Sequence, residues 1–161
     1  GIDRGRAAAA VAVVDAGGAE AAVADVAAAR AAAEAVVVVL HWGVEYAPAP
    51  RPVERRLAQR LAAAGADVVV GAHPHVVQPI EVITAGGREG RRTLVAYSLG
   101  NALFDQRDGA ATRVGAALEV VVDAGGLASW RCRGIATQSG RRGLGLAWVD
   151  AGRDHCGPGR P

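Results

Sequence analysis

The feature that most constrains the fold is a pair of valine-rich segments separated by one predicted helix. Residues 35–40 contain four consecutive valines, and residues 67–71 contain three more. Short runs that are apolar on both faces are typical of buried parallel strands. The segment between them has apolar residues at helical spacing and ends at Gly65, a predicted C-cap. Strand, helix and strand in this order predict a βαβ unit with a right-handed crossover, and therefore an α/β fold.

Histidines follow both predicted strands. His41 directly follows the first, and His73 and His75 follow the second. Because the carboxyl ends of parallel strands meet at one sheet edge, the three imidazoles are expected to share a pocket there. Pro74 disfavours the helical region for His73, which predicts an extended segment with both rings on one side. Imidazole is the commonest side-chain metal ligand, so the pattern favours a metal site. Loop histidines that are hydrogen-bonded to their surroundings are the alternative.

Composition sets the broad class of the protein. The chain has 161 residues, of which 51% are hydrophobic and only 4% aromatic, so we expect a core of valine, leucine and alanine. The net charge is +2, and the arginines form scattered pairs without interleaved aromatic residues, which argues against nucleic acid binding. No segment has the pattern of a membrane span or a targeting peptide. Cys132 and Cys156 lack metal-binding spacing, and their pairing stays open.

The other elements are assigned from periodicity and turn signals. A short apolar run at residues 7–14 predicts a strand, and alanine-rich residues 20–34 predict a helix. Further strands are predicted at 79–84 and 92–97, followed by a β-hairpin formed by 114–123 and 127–133. The predicted domain spans residues 1–135. Residues 136–161, rich in Gly, Arg and Pro, are predicted to form a poorly ordered tail.

Three motifs carry a resemblance to a known family. They are His41-Trp-Gly-Val-Glu45-Tyr46, the Gly-Ala-His73-Pro-His75 segment that continues to Glu81, and Tyr97-Ser-Leu-Gly-Asn101-Ala-Leu-Phe-Asp105. In order and spacing they resemble the capsule-synthesis CapA family, also called poly-gamma-glutamate synthesis proteins, over roughly residues 21–130. The resemblance implies the C-terminal part of a calcineurin-like metallophosphoesterase domain, a β-sandwich flanked by helices.

The resemblance also implies a divalent metal site, with Mn, Zn or Fe as the ion. It assigns the metal ligands to the three imidazoles: His41, His73 and His75. It gives supporting roles to four neighbours: Trp42, Glu45, Glu81 and Asn101. Glu45 is expected either to orient His41 or to lie on the surface, and Trp42 either to wall the site or to pack over the strand end.

The family's Gly-Asp and Asn-Asn-His motifs are not found in this sequence. The chain is therefore expected to be a truncated CapA-like capsule or poly-gamma-glutamate biosynthesis protein. With the missing half present, it would be a metal-dependent hydrolase of the metallophosphoesterase type. The alternative is a non-catalytic component of cell-envelope polymer assembly or export. The implied partners are an anionic polymer or phosphoester substrate and other capsule-synthesis proteins, and the implied location is the extracytoplasmic cell envelope.

Overall fold

The computed structural model describes residues 18–86, 90–104, 109–140 and 143–149. Two helices and seven strands follow one another in these ranges: α1 (Gly18–Ala32), β1 (Val37–His41), α2 (Pro52–Ala63), β2 (Val68–Ala72), β3 (Ile80–Thr84), β4 (Arg92–Ala96), β5 (Val114–Asp123), β6 (Gly126–Gly140) and β7 (Gly143–Val149). Neither helix has the length and hydropathy that crossing a membrane would require. The strand predicted at residues 7–14 and Cys156 lie outside the described ranges.

The predicted βαβ unit is present. β1 and β2 pair in parallel from Val37 opposite Val68 to His41 opposite Ala72, and α2 connects them. The helix starts with Pro52, where the missing backbone N–H costs nothing, and Glu54 accepts a hydrogen bond from the backbone of Arg51. Gly65 follows the helix with φ +107°, which confirms the predicted C-cap.

The described strands form one mixed sheet, so the α/β class is confirmed. The main strand order is β1-β2-β4-β6-β5, with β3 paired to β4 and β7 paired to β6. β4 runs parallel to β2, and β6 pairs in parallel with β4 at Gly126 opposite Arg92, which gives four parallel strands in a row. β3, β5 and β7 are antiparallel to their neighbours. The order of the parallel strands places the ends of β1, β2 and β4 along the same edge of the sheet.

The core lies on both faces of β4. Val95 points to the side covered by the helices, where it packs with Leu61 of α2 and Val26 of α1. Leu94 points to the other side and packs with Leu127 of β6. Each fully buried leucine or valine contributes roughly 1.5–3 kcal/mol to folding. Alternation along this central strand therefore joins the helical layer to the β5–β6 hairpin.

The prediction that the first valine run is buried on both faces is wrong. β1 is the edge strand of the described sheet, and Val37 and Val39 are 60% and 72% exposed. Val38 and Leu40 on the opposite face pack against the helical layer. The sequence pattern indicates that both faces of the strand are apolar, but it does not determine whether other elements pack against both faces.

The C-terminal region holds more regular structure than predicted. The hairpin is confirmed as β5 and β6, which pair from Val114 opposite Ala136 to Asp123 opposite Gly126. However, β6 continues to Gly140, and β7 pairs with it, so the predicted domain boundary at residue 135 falls inside a strand. Glycines at 143 and 145 weaken the alternating pattern of β7, which explains why the sequence did not predict it.

A buried carboxylate, Asp67, connects α1 to the amino ends of β1, β2 and β4. Asp67 is fully buried and accepts hydrogen bonds from Arg30 Nη1 (3.0 Å), Arg91 Nε (2.7 Å) and the backbone N–H of Val36 (2.8 Å). The first of these partners belongs to α1, the second precedes β4 and the third precedes β1. This cluster stands at the sheet edge opposite the histidines and is paired on both carboxylate oxygens, as a buried charge requires.

Candidate functional site

The three histidines lie together at the carboxyl ends of β1 and β2. His41 is the last residue of β1, and His73 and His75 follow the end of β2. The ring centroids of His41 and His73 are 4.7 Å apart, and those of His73 and His75 are 6.1 Å apart. His41 is exposed, and the other two are half-buried. The structure thus places all three imidazoles in one solvent-accessible group, which follows from the parallel pairing of the two strands.

The backbone around these histidines is not extended, so that part of the sequence prediction is wrong. His73 has φ +103° and His75 has φ +61°, both in the left-handed region that residues other than glycine rarely adopt. Pro74 excludes the helical region for His73 but does not by itself force an extended one. The loop after β1 holds this bend, because Tyr46 N–H donates to the carbonyl oxygen of Pro74 (2.8 Å).

Such backbone conformations cost on the order of 1–3 kcal/mol each and persist only where the surroundings fix them. Among the described residues other than glycine, only three have a positive φ: Tyr46, His73 and His75. All three lie in the two loops that form this site. Their concentration here supports a functional role for the loops, as backbone strain tends to cluster at functional sites.

Two hydrogen-bond contacts of Asn101, in the loop after β4, fix the tautomer of His75. Asn101 Nδ2 donates to the carbonyl oxygen of Thr112 (3.0 Å), which orients the Asn101 carbonyl oxygen towards His75. That oxygen lies 2.8 Å from His75 Nδ1 and can only accept, so Nδ1 carries the proton. In the neutral ring, Nε2 then keeps its lone pair for a ligand. The predicted supporting position of Asn101 therefore has a defined contact.

Glu45, predicted either to orient His41 or to lie on the surface, is half exposed and approaches His75. Glu45 Oε1 lies 3.8 Å from His75 Nε2, and the glutamate side chain is 52% exposed. The ring of Phe104 stacks against His75 with centroids 5.4 Å apart, and Tyr46 lies on it at 6.2 Å. Two aromatic rings and one carboxylate thus surround His75.

The Trp42 side chain lies across the end of β2 and contacts Tyr97, the residue directly after β4. Its Nε1–H donates to the carbonyl oxygen of Tyr97 (2.9 Å), and the two rings stack with centroids 5.8 Å apart. Gly71 makes this crossing possible, because a Cβ there would lie 2.0 Å from the Tyr97 oxygen and 2.1 Å from the indole nitrogen. Of the two predicted roles of Trp42, the packing role over the strand end therefore has direct contacts.

Glu81 contacts the residues behind the site. It accepts a hydrogen bond from the Tyr97 hydroxyl (2.6 Å), and Arg55 Nη1 lies 3.4 Å from both of its carboxylate oxygens. The Arg55 guanidinium also stands 5.1 Å from the centre of the Tyr97 ring. Burial and, next, the hydrogen bond to Glu81 raise the pKa of Tyr97 well above its usual value of 10.0.

Sequence reasoning missed the roles of Tyr97, Arg55 and Gly71. The tyrosine opens the third family motif, but the resemblance gave it no role, and the arginine lies on α2, outside the three motifs. A usable signal was the glycine itself, since a glycine inside an apolar strand indicates a close approach of other groups. These three residues connect the histidine loops to the interior of the fold.

The donor set is incomplete within the described part of the chain. No three His, Cys, Asp or Glu side chains there converge closely enough to enclose a metal ion. Nitrogen donors in a half-exposed cluster nonetheless suit a transition-metal ion, and the fixed tautomer of His75 is typical of a ligating histidine. The imidazoles therefore fit part of a metal site that needs further ligands.

Comparison with protein families identifies the group to which the chain is related. The model of the family described as bacterial capsule synthesis protein PGA_cap matches residues 3–106. The chain belongs to this family. The PGA_cap match includes α1 to β4 and all three histidines, whereas β5, β6 and β7 lie beyond it.

Two curated relatives agree with this assignment. The PGA biosynthesis protein CapA of Bacillus subtilis (strain 168) is 47% identical over 78 residues, which cover 48% of this chain and 19% of the relative. The capsule biosynthesis protein CapA of Bacillus anthracis is 46% identical over 74 residues, which cover 46% of this chain and 16% of the relative. The PGA_cap chain described here thus spans less than a fifth of the length of either relative.

Proposed function

We propose that the chain is a CapA-like capsule or poly-gamma-glutamate biosynthesis protein that contributes three imidazoles to a metallophosphoesterase-type metal site. Within the proposal, the fold is the C-terminal part of a calcineurin-like domain. Both named relatives are CapA proteins of polymer or capsule biosynthesis. The protein would accordingly act at the cell envelope on an anionic polymer or phosphoester, together with other capsule-synthesis proteins.

The single observation that carries the proposal is the grouping of His41, His73 and His75 at two neighbouring strand ends, with ring centroids 4.7 Å and 6.1 Å apart. Their loops also hold backbone conformations that the surrounding structure must stabilise. A site that positions nitrogen donors at this cost is well suited to a divalent ion of the zinc, manganese or iron class.

In this proposal the three imidazoles hold the ion, and Asn101 keeps His75 in the tautomer that leaves Nε2 available. A bound divalent ion supplies Lewis-acid polarisation of a phosphoryl oxygen and a water nucleophile near neutral pH. Glu45 lies beside His75 Nε2 and adds negative charge that favours a cation at this position. The remaining ligands, including a bridging carboxylate, would come from protein outside the described residues.

The first prediction tests the ligand assignment. We expect the wild-type chain to take up Zn²⁺ or Mn²⁺, and His73→Ala or His75→Ala to reduce the affinity at least about 10-fold, because each removes a nitrogen donor. Calorimetric titration and metal analysis after dialysis measure this. Glu119→Gln is the matched control, since Glu119 pairs with Arg131 on the β5–β6 hairpin and lies outside the site. Equal metal content in all four proteins would refute the assignment.

A non-catalytic role in polymer assembly or export is the second candidate function. It is favoured by the absence, in the described ranges, of three donors close enough to enclose an ion. The two candidates differ in one measurable property. A metal-loaded longer relative that carries these motifs should hydrolyse a generic phosphodiester or poly-gamma-glutamate under the first proposal, and neither of them under the second.

A further inference from the structure

A continuous set of contacts runs from α2 to the histidines, from two half-exposed side chains, Arg55 and Glu81, to the buried Tyr97 and on to Trp42. Arg55 of α2 pairs with Glu81 of β3, and the Tyr97 hydroxyl donates a 2.6 Å hydrogen bond to the Glu81 carboxylate. The Tyr97 ring stacks on that of Trp42, and the Tyr97 backbone carbonyl oxygen accepts a hydrogen bond from the indole N–H. Each step is a direct contact between side chains, or between a side chain and the backbone of the next member.

Trp42, the last member of this set, connects the two segments that carry His41 and His73. Trp42 follows His41 directly, and its backbone N–H donates to the carbonyl oxygen of Ala72 (3.0 Å), the residue before His73. The indole thus fixes the point at which the two histidine-bearing segments meet. Because Tyr97 is fully buried, its carbonyl oxygen and ring form a rigid anchor for that indole.

Tyr97 also leads towards the third histidine. Asn101, the residue that fixes the His75 tautomer, lies four positions after it in the chain. Backbone bonds hold this connection in place, since Gln78 N–H donates to the carbonyl oxygen of Ser98 (3.0 Å) and Val77 bridges to Leu99. The buried Tyr97 is therefore connected to His41 and His73 through Trp42 and to His75 through Asn101.

We propose that Arg55, Glu81, Tyr97 and Trp42 are positioning residues that set the distance between the His41 and His73 rings and thereby the cation affinity of the site. The affinity part of this inference rests on the proposed metal site, whereas the ring-distance part does not. None of the four residues needs to touch the ion. Their effect passes through the backbone of residues 41–42, which the indole holds against β2 and β4.

The test uses two independent interruptions of the contact set. Trp42→Phe keeps an aromatic ring but removes the N–H that reaches Tyr97. Glu81→Ala removes the acceptor of the tyrosine hydroxyl, whereas Glu81→Gln restores an acceptor and should restore function. The first readout is the nuclear Overhauser effect between the His41 and His73 rings in the metal-free protein. The second is the Zn²⁺ affinity from calorimetric titration.

We expect Trp42→Phe and Glu81→Ala to weaken the ring-to-ring effect and to lower Zn²⁺ affinity by about 10-fold, with Glu81→Gln close to wild type. Thr93→Val is the control, because Thr93 is also a buried residue of β4 and loses a comparable hydrogen bond, to the carbonyl of Ala66 (2.6 Å), at the other end of the strand. It should lower stability but leave both readouts unchanged.

The outcomes separate the two proposals. If Trp42→Phe and Glu81→Ala leave the ring-to-ring effect and the Zn²⁺ affinity at wild-type values, the positioning inference is overturned. It is equally overturned if Thr93→Val changes both readouts as much as they do, since the effect would then be general destabilisation. If the ring-to-ring effect responds as expected but the wild type binds no Zn²⁺, the positioning of the rings stands and the metal function fails.

Discussion

At the scale of single residues, the site depends on conformations that composition does not reveal. His75 has its Nδ1 proton fixed by Asn101, and its ring contacts those of Phe104 and Tyr46. The sequence predicted which histidines belong together, because strand ends can be located from valine runs. It did not predict the positive φ of His73 or the pairing of Glu45 with His75, because both depend on contacts between separate loops.

Tyr97 gives a residue-scale prediction with a defined pH dependence. Its pKa is raised in the folded state, mainly by burial, so the folded protein holds the phenolic proton more tightly than the unfolded chain does. The stabilisation is complete below pH 10 and is lost as the pH rises through the folded pKa. The chain contains no lysine, so no lysine side chain titrates in this range.

We therefore expect wild-type stability to fall above pH 10 by up to about 1.4 kcal/mol per pH unit from this one group. Tyr97→Phe should be less stable than wild type at pH 8 and should lose less stability between pH 10 and 11. Urea unfolding of both proteins across this range measures the difference. A constant difference in unfolding free energy at every pH would show that Tyr97 ionises normally in the folded protein.

At the scale of elements, the sequence specified the parts whose patterns are local. The βαβ unit, the C-cap at Gly65 and the β5–β6 hairpin were predicted because periodicity and turn residues determine them. The edge position of β1 and the existence of β7 were not, because they depend on which strand lies alongside and on glycine-rich segments without a clear pattern. The crossing of Trp42 over Gly71 likewise depends on three strands at once.

The Asp67 cluster gives an element-scale prediction. Asp67→Ala would leave the Arg30 and Arg91 guanidinium groups without their partner and the Val36 N–H without its acceptor. Breaking a buried ion pair by removing one member typically costs about 3–5 kcal/mol. Since both arginines are about one-quarter exposed and can turn to solvent, we expect the lower end of that range. Denaturant unfolding at neutral pH measures it.

A matched variant separates this cluster from surface ion pairs. Glu119→Ala removes the exposed pair with Arg131 and should change stability by no more than about 1 kcal/mol. Because the Asp67 cluster lies at the sheet edge away from the histidines, Asp67→Ala should leave the Zn²⁺ affinity of the folded protein unchanged. A stability loss for Asp67→Ala as small as that for Glu119→Ala would mean that the cluster contributes little to folding.

At the scale of the whole molecule, the sheet combines two parts with different relations to the family. The PGA_cap match covers both helices and β1 to β4, while β5, β6 and β7 extend the sheet beyond it. The histidine site belongs entirely to the matched part. The two outer strands of the main order also differ, because β5 carries Glu119 and an irregularity at Val121, whereas β1 carries only apolar residues before His41.

Exposed, uncharged edge strands tend to pair with other chains, and native proteins usually protect them with charges, prolines or bulges. β1 has none of these features, and Val39 is its most exposed valine. We therefore expect the 161-residue chain to self-associate in a concentration-dependent manner. Val39→Arg should weaken this association at least about tenfold, equivalent to roughly 1.4 kcal/mol, by placing a charge on the edge. Sedimentation velocity over a concentration series measures it.

Val121→Arg is the matched control for this last prediction. It makes the same substitution at a half-exposed valine on the opposite edge, where Glu119 and the local irregularity already protect the strand. Association should therefore respond to the change at Val39 and not to the change at Val121, with both variants folded. A wild-type chain that is monomeric at every concentration, or an equal response of both variants, would show that β1 is not the surface through which the chain associates.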